Sequence, residues 1–284
     1  MHMLGWQRIG QMDGTVVGPL RGAAVAVIAA AALNAGTAAA DDTAASAGGT
    51  VGGEAGSGFY VGTDIGVAFL SSVKIKDYAP TPGSLEFGIE GVKADLSAGL
   101  AWNLNVGYRF NESFAVELES GYYRNGFDGF SEGEFTTAFG LSTGIEGGDG
   151  DFTQIPVLLN AVFELPLMKP ETPGAAGGLS LKLGAGLGVI NIAADIDAIT
   201  AVGVPGISAA VDGNSWELGG QVKIGLAWQL THAIELGLEY RLMAVGGANF
   251  GTANFSDPLL VGTADVESSS VLTHAIQARI SFEF

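Results

Sequence analysis

Apolar and polar residues alternate with a period of two through most of the chain from Gly58 onward. This alternation predicts β-strands with one apolar and one polar face. Eight runs carry it, at residues 59–69, 99–110, 114–123, 154–164, 179–189, 216–229, 234–242 and 272–284. Each run has about 10 to 15 residues, enough for a tilted strand to cross a bilayer, whereas ordinary strands average about 5 to 6. The sequence predicts an all-β fold, an antiparallel transmembrane β-barrel of about eight strands.

The connections between these runs alternate in length. Residues 111–113 and 231–232 form short links, and a link of middle length passes through three prolines. The long connections are 70–96, 125–151, 191–214 and 246–269. Outer-membrane barrels have short periplasmic turns and long extracellular loops, and an even strand count places both termini in the periplasm. Alternation also occurs inside the long loops, at 135–145 and 196–202, so we leave open whether the hairpins extend above the membrane or the count rises from eight to ten.

The N-terminal 40 residues have the features of an export signal. Arg8 and Arg21 precede the apolar run 22–33, and a stretch of small residues ends at Ala40. The apolar run is too short to span a bilayer, which needs about 20 residues. We therefore predict a signal peptide over 1–40, a flexible glycine-rich leader over 41–57 and a single barrel domain over 58–284.

The charged residues of the strand runs all fall on the face that carries small and polar residues. They are Asp64, Arg109, Glu117, Glu119, Glu164, Lys182, Glu217, Lys223, Glu235, Glu239, Arg241, Arg279 and Glu283. In a membrane barrel this face lines the lumen, where an isolated charge costs several kcal/mol. We predict a structural network of ion pairs that fills the lumen, because a barrel of about eight strands is narrow enough for side chains to fill. A narrow ion path along the same residues is the alternative.

A soluble lipocalin-like barrel, whose apolar face points inward around a ligand, gives the same alternation. The composition of the two faces argues against it. The apolar face is dense with Leu, Ile, Val, Trp and Phe, which is more bulk than a small interior holds, while the polar face is rich in Gly and Ala. The directions of Leu226 and Trp228 separate the two arrangements.

Composition excludes several other functions. The formal net charge is −18, so the chain lacks the basic surface of a nucleic-acid-binding protein. It contains no cysteine, which excludes disulfides, thiol catalysis and cysteine-ligated zinc. The acidic positions Asp149, Asp151, Asp195 and Asp197 do not have the spacing of a calcium loop. We therefore predict no cofactor and no metal.

Several segments resemble a known family. They are GFYVGTDIGVAF, TQIPVLLNAVFELP, LSLKLGAGLGV, ELGGQVKIGLAWQL, IELGLEYRL and AIQARISFEF. Together they resemble the small outer-membrane β-barrel family that includes opacity-type surface proteins and the transmembrane domain of the OmpA group, over about residues 58–284. The resemblance implies a location in the cell outer membrane, among its lipid and lipopolysaccharide. It also implies that Phe284 is the C-terminal aromatic residue that the barrel-assembly machinery reads.

Two histidines after the predicted signal peptide, His232 and His274, are candidate catalytic residues. His274 lies two positions before Ile276, where barrel enzymes that deacylate lipid A have a serine, although a loop serine, Ser268 or Ser270, is a possible partner. His232 falls in a short turn. We predict a non-enzymatic outer-membrane protein that acts in envelope structure or in surface adhesion and recognition through acidic outer loops. The alternatives are a small-solute porin, a lipid-modifying barrel enzyme and a soluble lipocalin-like binder.

Overall fold

The computed structural model describes residues 57–77, 87–137, 142–169, 176–203, 208–255 and 265–284. The predicted signal peptide, and all of the predicted leader except Ser57, lie outside these residues. The strands are β1 (Gly58–Leu70), β2 (Val73–Lys74), β3 (Phe87–Leu96), β4 (Gly99–Asn111), β5 (Phe114–Thr137), β6 (Ser142–Met168), β7 (Leu179–Ala201), β8 (Ser208–Gln229), β9 (Ile234–Thr252), β10 (Asn254–Phe255) and β11 (Asp265–Glu283). No helix in the described part of the chain is long and apolar enough to cross a membrane.

Eight of these strands form a closed antiparallel ring in the order β1, β4, β5, β6, β7, β8, β9 and β11. The β5–β6 and β1–β11 pairings close it, so every neighbouring pair is hydrogen-bonded and the ring has no free edge. Closure matters in lipid because backbone groups there find no water to bond. The predicted barrel is confirmed, and the ring has eight strands rather than ten.

The register places the apolar face outside the ring. Leu187 and Leu218 are 76% and 79% exposed, and Leu226 and Trp228 are also exposed. Charged residues at the alternate positions, such as Lys223, are buried inside. This is the arrangement of a barrel that faces lipid, and it rules out the lipocalin-like arrangement for this part of the chain.

Strands β1 and β4 have 13 residues each. At about 3.3 Å per residue and a tilt of about 45°, such a strand covers about 30 Å, the thickness of the hydrocarbon core. At their turn end a row of aromatic rings crosses the outer surface, with successive centroids 4.9, 4.9, 5.7 and 5.2 Å apart. The row consists of Phe59, Tyr108, Phe110, Phe114 and Phe163. Aromatic rows of this kind mark the membrane interface in transmembrane barrels.

The other ring strands are much longer than a bilayer requires. Strand β6 has 27 residues and β5 has 24, where alternation predicted runs of about a dozen. Most of the long connections 125–151, 191–214 and 246–269 is therefore strand, so the hairpins extend above the membrane, which is one of the two possibilities that the alternation at 135–145 and 196–202 left open. We use the name basal section for the part of the ring that contains β1 and β4, and the name extension for the part beyond their ends.

The extension is closed by different strands from the basal section. Strand β3 pairs with the distal half of β5, from Leu96–Phe127 to Phe87–Thr137. Strand β2 pairs with β3, and Ile75 bridges to Ser268 of β11. The β2–β3 hairpin therefore replaces β1 and β4 above the basal section. The predicted loop 70–96 contains this hairpin.

The polarity of the two faces reverses between the two sections, as β7 shows. In the basal section Lys182 points inward and Leu187 outward, whereas in the extension Ile192 and Ile196 are buried inside and Asp195 is exposed outside. Side-chain direction alternates without interruption up to Ile196, so the change lies in the amino acids and not in the register. The extension is thus built like a water-soluble barrel on top of a membrane-facing one.

Inward-facing glycines make room for the charged side chains of the basal section. A Cβ atom added at Gly184 would lie 2.4 Å from Cγ of Lys223, whose stem is held by its ion pairs. We expect Gly184→Ala to destabilise the barrel by about 1–3 kcal/mol, the usual cost of overpacking. The measurement is the urea midpoint of unfolding in lipid vesicles. Gly246→Ala is the control, because the nearest atom to its added Cβ is 3.8 Å away; equal midpoints for the two variants would contradict this account.

Candidate functional site

The centre of the basal lumen contains a cluster of seven buried ionic residues, which we name the ionic cluster. Its members are Asp64, Glu117, Glu119, Lys223, Glu239, Arg241 and Arg279. They come from β1, β5, β8, β9 and β11, so the pairs join strands on opposite sides of the ring. The ionic cluster therefore ties the barrel wall together across its axis.

Arg241 links three carboxylates of the ionic cluster. Its guanidinium lies 3.2 Å from Asp64 and 2.6 Å from Glu239, and it also donates to Glu119. It also donates a fourth hydrogen bond, to the hydroxyl of Tyr123 at 3.3 Å. Arginine suits this position because its planar group presents five N–H donors and stays charged.

Glu117 is the second centre of the ionic cluster. Both Lys223 and Arg279 donate to its carboxylate, and the hydroxyl of Tyr60 donates to it at 2.9 Å. Lys223 also lies 3.3 Å from Glu119. A buried carboxylate with several charge-assisted donors is well compensated for the water it has lost.

A second group of ion pairs lies toward the turn end of the barrel. Lys182 contacts Glu235 at 2.5 Å and Glu164 at 3.6 Å. Arg109 contacts Glu164 at 3.2 Å and Glu283 at 2.8 Å. Arg109, Glu164 and Glu283 are partly exposed, so their pairs are less desolvated than the ionic cluster, whereas Lys182 and Glu235 are buried.

The structure places twelve of the thirteen predicted lumen residues in ion pairs, and Glu217 is the exception. It lies opposite Ile190 on β7, is half-buried, and has no ion pair within the described residues. Ile190 belongs to the apolar interior. Glu217 therefore lies further along the barrel axis than the cations with which it was predicted to pair. The alternation gave the face of Glu217 but not its height along the barrel axis.

Uncharged polar side chains complete this interior, and sequence reasoning did not single them out. Gln221 donates to Glu119 at 2.9 Å and to Asn160 at 2.8 Å. Thr273 donates to Gln154 at 2.9 Å, between the ionic cluster and the apolar residues beyond it. Their positions on the inward face of the strands were the available signal. Alternation alone does not tell which inward side chains join the hydrogen-bond network and which only occupy space.

The extension has an apolar interior, which sequence reasoning missed. We name it the apolar chamber. Phe152 of β6 and Phe250 of β9 meet across it, with ring centroids 6.1 Å apart. Above them lies a cavity of about 70 Å³. Its wall consists of Val73, Ile75, Ile89, Val92, Ala94, Leu96, Phe130, Ile145, Phe152, Ala194, Ile196, Ile199, Ala209, Val211, Phe250, Ala253 and Val266.

The candidate catalytic residues are not brought together. His274 lies on the outer face and its Nδ1 is 2.6 Å from the hydroxyl of Tyr240. Ser268 is buried and its hydroxyl accepts the backbone N–H of Ala248. Neither Ser268 nor Ser270 bonds to His274 within the described ranges, and His232 lies in an exposed turn. No group of three or more His, Asp or Glu residues in the described part of the chain is placed to hold a metal ion.

Comparison with known proteins gives distant similarities. No family model matches the chain. Uncharacterized proteins of Brucella abortus and Brucella suis are 26% identical over 163 residues, which are 54% of this chain and 54% of each relative. The chain thus spans about half the length of the curated relatives it matches.

Among solved structures, the match to Neisserial surface protein A includes 81% of this chain and 100% of that protein's chain, at 18% identity and a TM-score of 0.45. The match to OprG from Pseudomonas aeruginosa includes 81% of this chain and 97% of the OprG chain, at 16% identity and a TM-score of 0.42. The match to the outer membrane protease OmpT from Escherichia coli includes 79% of this chain and 97% of the OmpT chain, at 12% identity and a TM-score of 0.43. All three are similar to this chain in general architecture alone.

Removing one partner of the ionic cluster should weaken the barrel strongly. Glu117→Gln keeps the shape of the side chain but deprives Lys223 and Arg279 of a carboxylate. We expect a loss of about 3–5 kcal/mol in the free energy of unfolding, the range for a broken buried pair. Urea titration in vesicles measures it.

Two further variants test whether charge is the cause. Glu117→Gln combined with Lys223→Met should recover part of the loss, because it removes one of the two cations that Glu117 neutralises. Lys76→Met breaks an exposed pair with Glu267, 2.7 Å long, and should cost about 1 kcal/mol or less. A Glu117→Gln variant no less stable than Lys76→Met would refute a stabilising role for the ionic cluster.

Proposed function

We propose that the chain is a non-enzymatic outer-membrane barrel protein that acts in surface recognition through its extension. One observation carries the proposal: the basal lumen is filled by paired charges, while most of the ring strands continue far beyond the bilayer with an ordered, charged exterior. A barrel whose lumen is blocked by side chains, and whose strands extend beyond one side of the membrane, is suited to presenting a surface there.

The outer-membrane location is supported by the surface of the basal section. Its exterior is apolar, its height matches a hydrocarbon core, and an aromatic row lies at its turn end. Lipid and lipopolysaccharide are the partners that such a surface would contact. Phe284 lies exposed at the turn end, where its N–H donates to the carbonyl of Phe59 at 3.0 Å; its reading by the assembly machinery stays a prediction.

The exterior of the extension is acidic. Asp151, Asp195 and Asp212 stand directly opposite one another on three neighbouring strands, and Asp149 stands opposite Asp197. Arg124 offsets the charge of Asp151 at 2.5 Å, but within the described residues no cation pairs with the other four carboxylates, so these like charges repel and are unfavourable for the fold alone. A partner with a basic surface would relieve this repulsion, and complementary charge would also speed its encounter with the protein.

The porin alternative is less well supported. Arg241, Tyr123, Glu117 and Glu119 are among the largest fully buried side chains, and they meet in the centre of the lumen. A solute would have to displace several ion pairs that hold opposite walls together. For the enzyme alternative, neither Ser268 nor Ser270 contacts His274 in the part of the chain that the structure describes, and the bond of His274 to Tyr240 joins two outward-facing side chains.

Surface labelling and conductance test the proposal together. The chain has no native cysteine, so Asp197→Cys in the extension and Glu112→Cys in the β4–β5 turn provide single labels. On intact cells a membrane-impermeant maleimide should label Asp197→Cys at least tenfold more than Glu112→Cys, and the two should become equal after lysis. The wild-type protein in planar bilayers should show no discrete conductance steps.

Each arm of this experiment has an outcome that contradicts the proposal. Equal labelling on intact cells, or a protein that stays in the soluble fraction without detergent, would remove the outer-membrane assignment. Regular conductance steps from the wild-type protein would instead support the porin alternative.

A further inference from the structure

We infer that the apolar chamber is a binding site for a short saturated hydrocarbon group, such as the end of an alkyl or acyl chain. The inference rests on the cavity, its wall and its position above the ionic cluster. It does not depend on which partner the exterior recognises.

The chemistry of the wall selects the ligand class. All of the lining side chains are Val, Ile, Leu, Ala or Phe, so the cavity offers no side-chain donor or acceptor. A water molecule needs two to four polar partners to be stable in such a place, and an ion needs a counter-charge. Only a nonpolar group can fill the space without losing hydrogen bonds.

The wall is rigid as well as apolar. Ile196, Ile199 and Val211 are β-branched residues on hydrogen-bonded strands, and such side chains have few alternative rotamers. Protein interiors are normally packed with few voids larger than a water molecule. A cavity of about 70 Å³ surrounded by these side chains is therefore not ordinary core packing. An occupant would regain the dispersion contacts that the lining atoms lack.

The size and position restrict how the ligand sits. The volume of about 70 Å³ is roughly half that of an engineered apolar cavity that binds benzene, so it accommodates the end of a chain rather than a whole lipid. Beneath the cavity lie the buried side chains of Ile192 and Met243, and then the ionic cluster. A nonpolar group has no apolar route onward through this lumen, so the chamber holds its ligand rather than conducting it along the axis.

Methyl NMR of the full-length mature protein in lipid nanodiscs tests the inference, with xenon and n-pentane as probes. We expect saturable shifts at the methyl groups of Ile196, Val211 and Val266, which line the chamber. The lipid-facing methyl groups of Leu218 and Leu226 should respond only in proportion to probe concentration, because they report partition into lipid.

Cavity-filling variants provide the decisive comparison. Ala194→Leu and Ala209→Leu enlarge two wall residues, and each should weaken the saturable response at least tenfold. Ala185→Leu makes the same change on the lipid face and should leave it unaltered. Using two filling variants covers the case in which one of them fails to fold.

Three outcomes would overturn the inference: wall methyl groups that respond linearly like the lipid-facing ones, no response at all, or a response unaltered in both filling variants. None of these results bears on the surface labelling or the conductance of the wild-type protein. Failure here is therefore distinguishable from failure of the proposed function.

Discussion

Pairing of buried charge is the constraint on which the basal section depends. A closed ring in lipid turns its apolar face outward, which leaves the inward positions to small and polar residues. Long charged side chains can fill that interior only if each one meets opposite charge, since an unpaired ion costs several kcal/mol. Arg241 with its three carboxylates, and Glu117 with its two cations, satisfy that requirement from opposite walls.

The same constraint explains the glycines. A long side chain that crosses the lumen needs a gap beside it, and Gly184 next to Lys223 and Gly107 next to Tyr60, which donates to Glu117, supply such gaps. Replacing them with larger apolar residues would fill the space but would push the ionic groups out of register with their partners. The high glycine content of the chain is thus in part a consequence of its charged interior, in addition to the turns that glycine favours.

Much of the basal section could be predicted from sequence, because the odd or even position of a residue along a strand, its parity, decides which face of the strand the side chain is on. Arg241 and Glu119 were assigned to the lumen on this basis, and both lie there. Parity does not give height along the axis, which is why Glu217 was grouped with residues that it does not reach. It also gives no cross-lumen partners, since those depend on how the ring closes.

The length of the extension and its apolar interior were not predicted, for a different reason. Its strands continue the alternation of those below, although with several register shifts, and their polarity is reversed: Ile192 and Ile196 lie on the same strand face as Lys182, and Asp195 lies on that of Leu187. If a strand is recognised by apolar residues on its outward face, the reversal looks like the end of the strand. It is better read as the membrane boundary itself, because the outer face must change from apolar to charged where lipid gives way to water. The interior is then free to become apolar, and the apolar chamber occupies the part of the barrel that no longer has to present its hydrophobic residues to lipid.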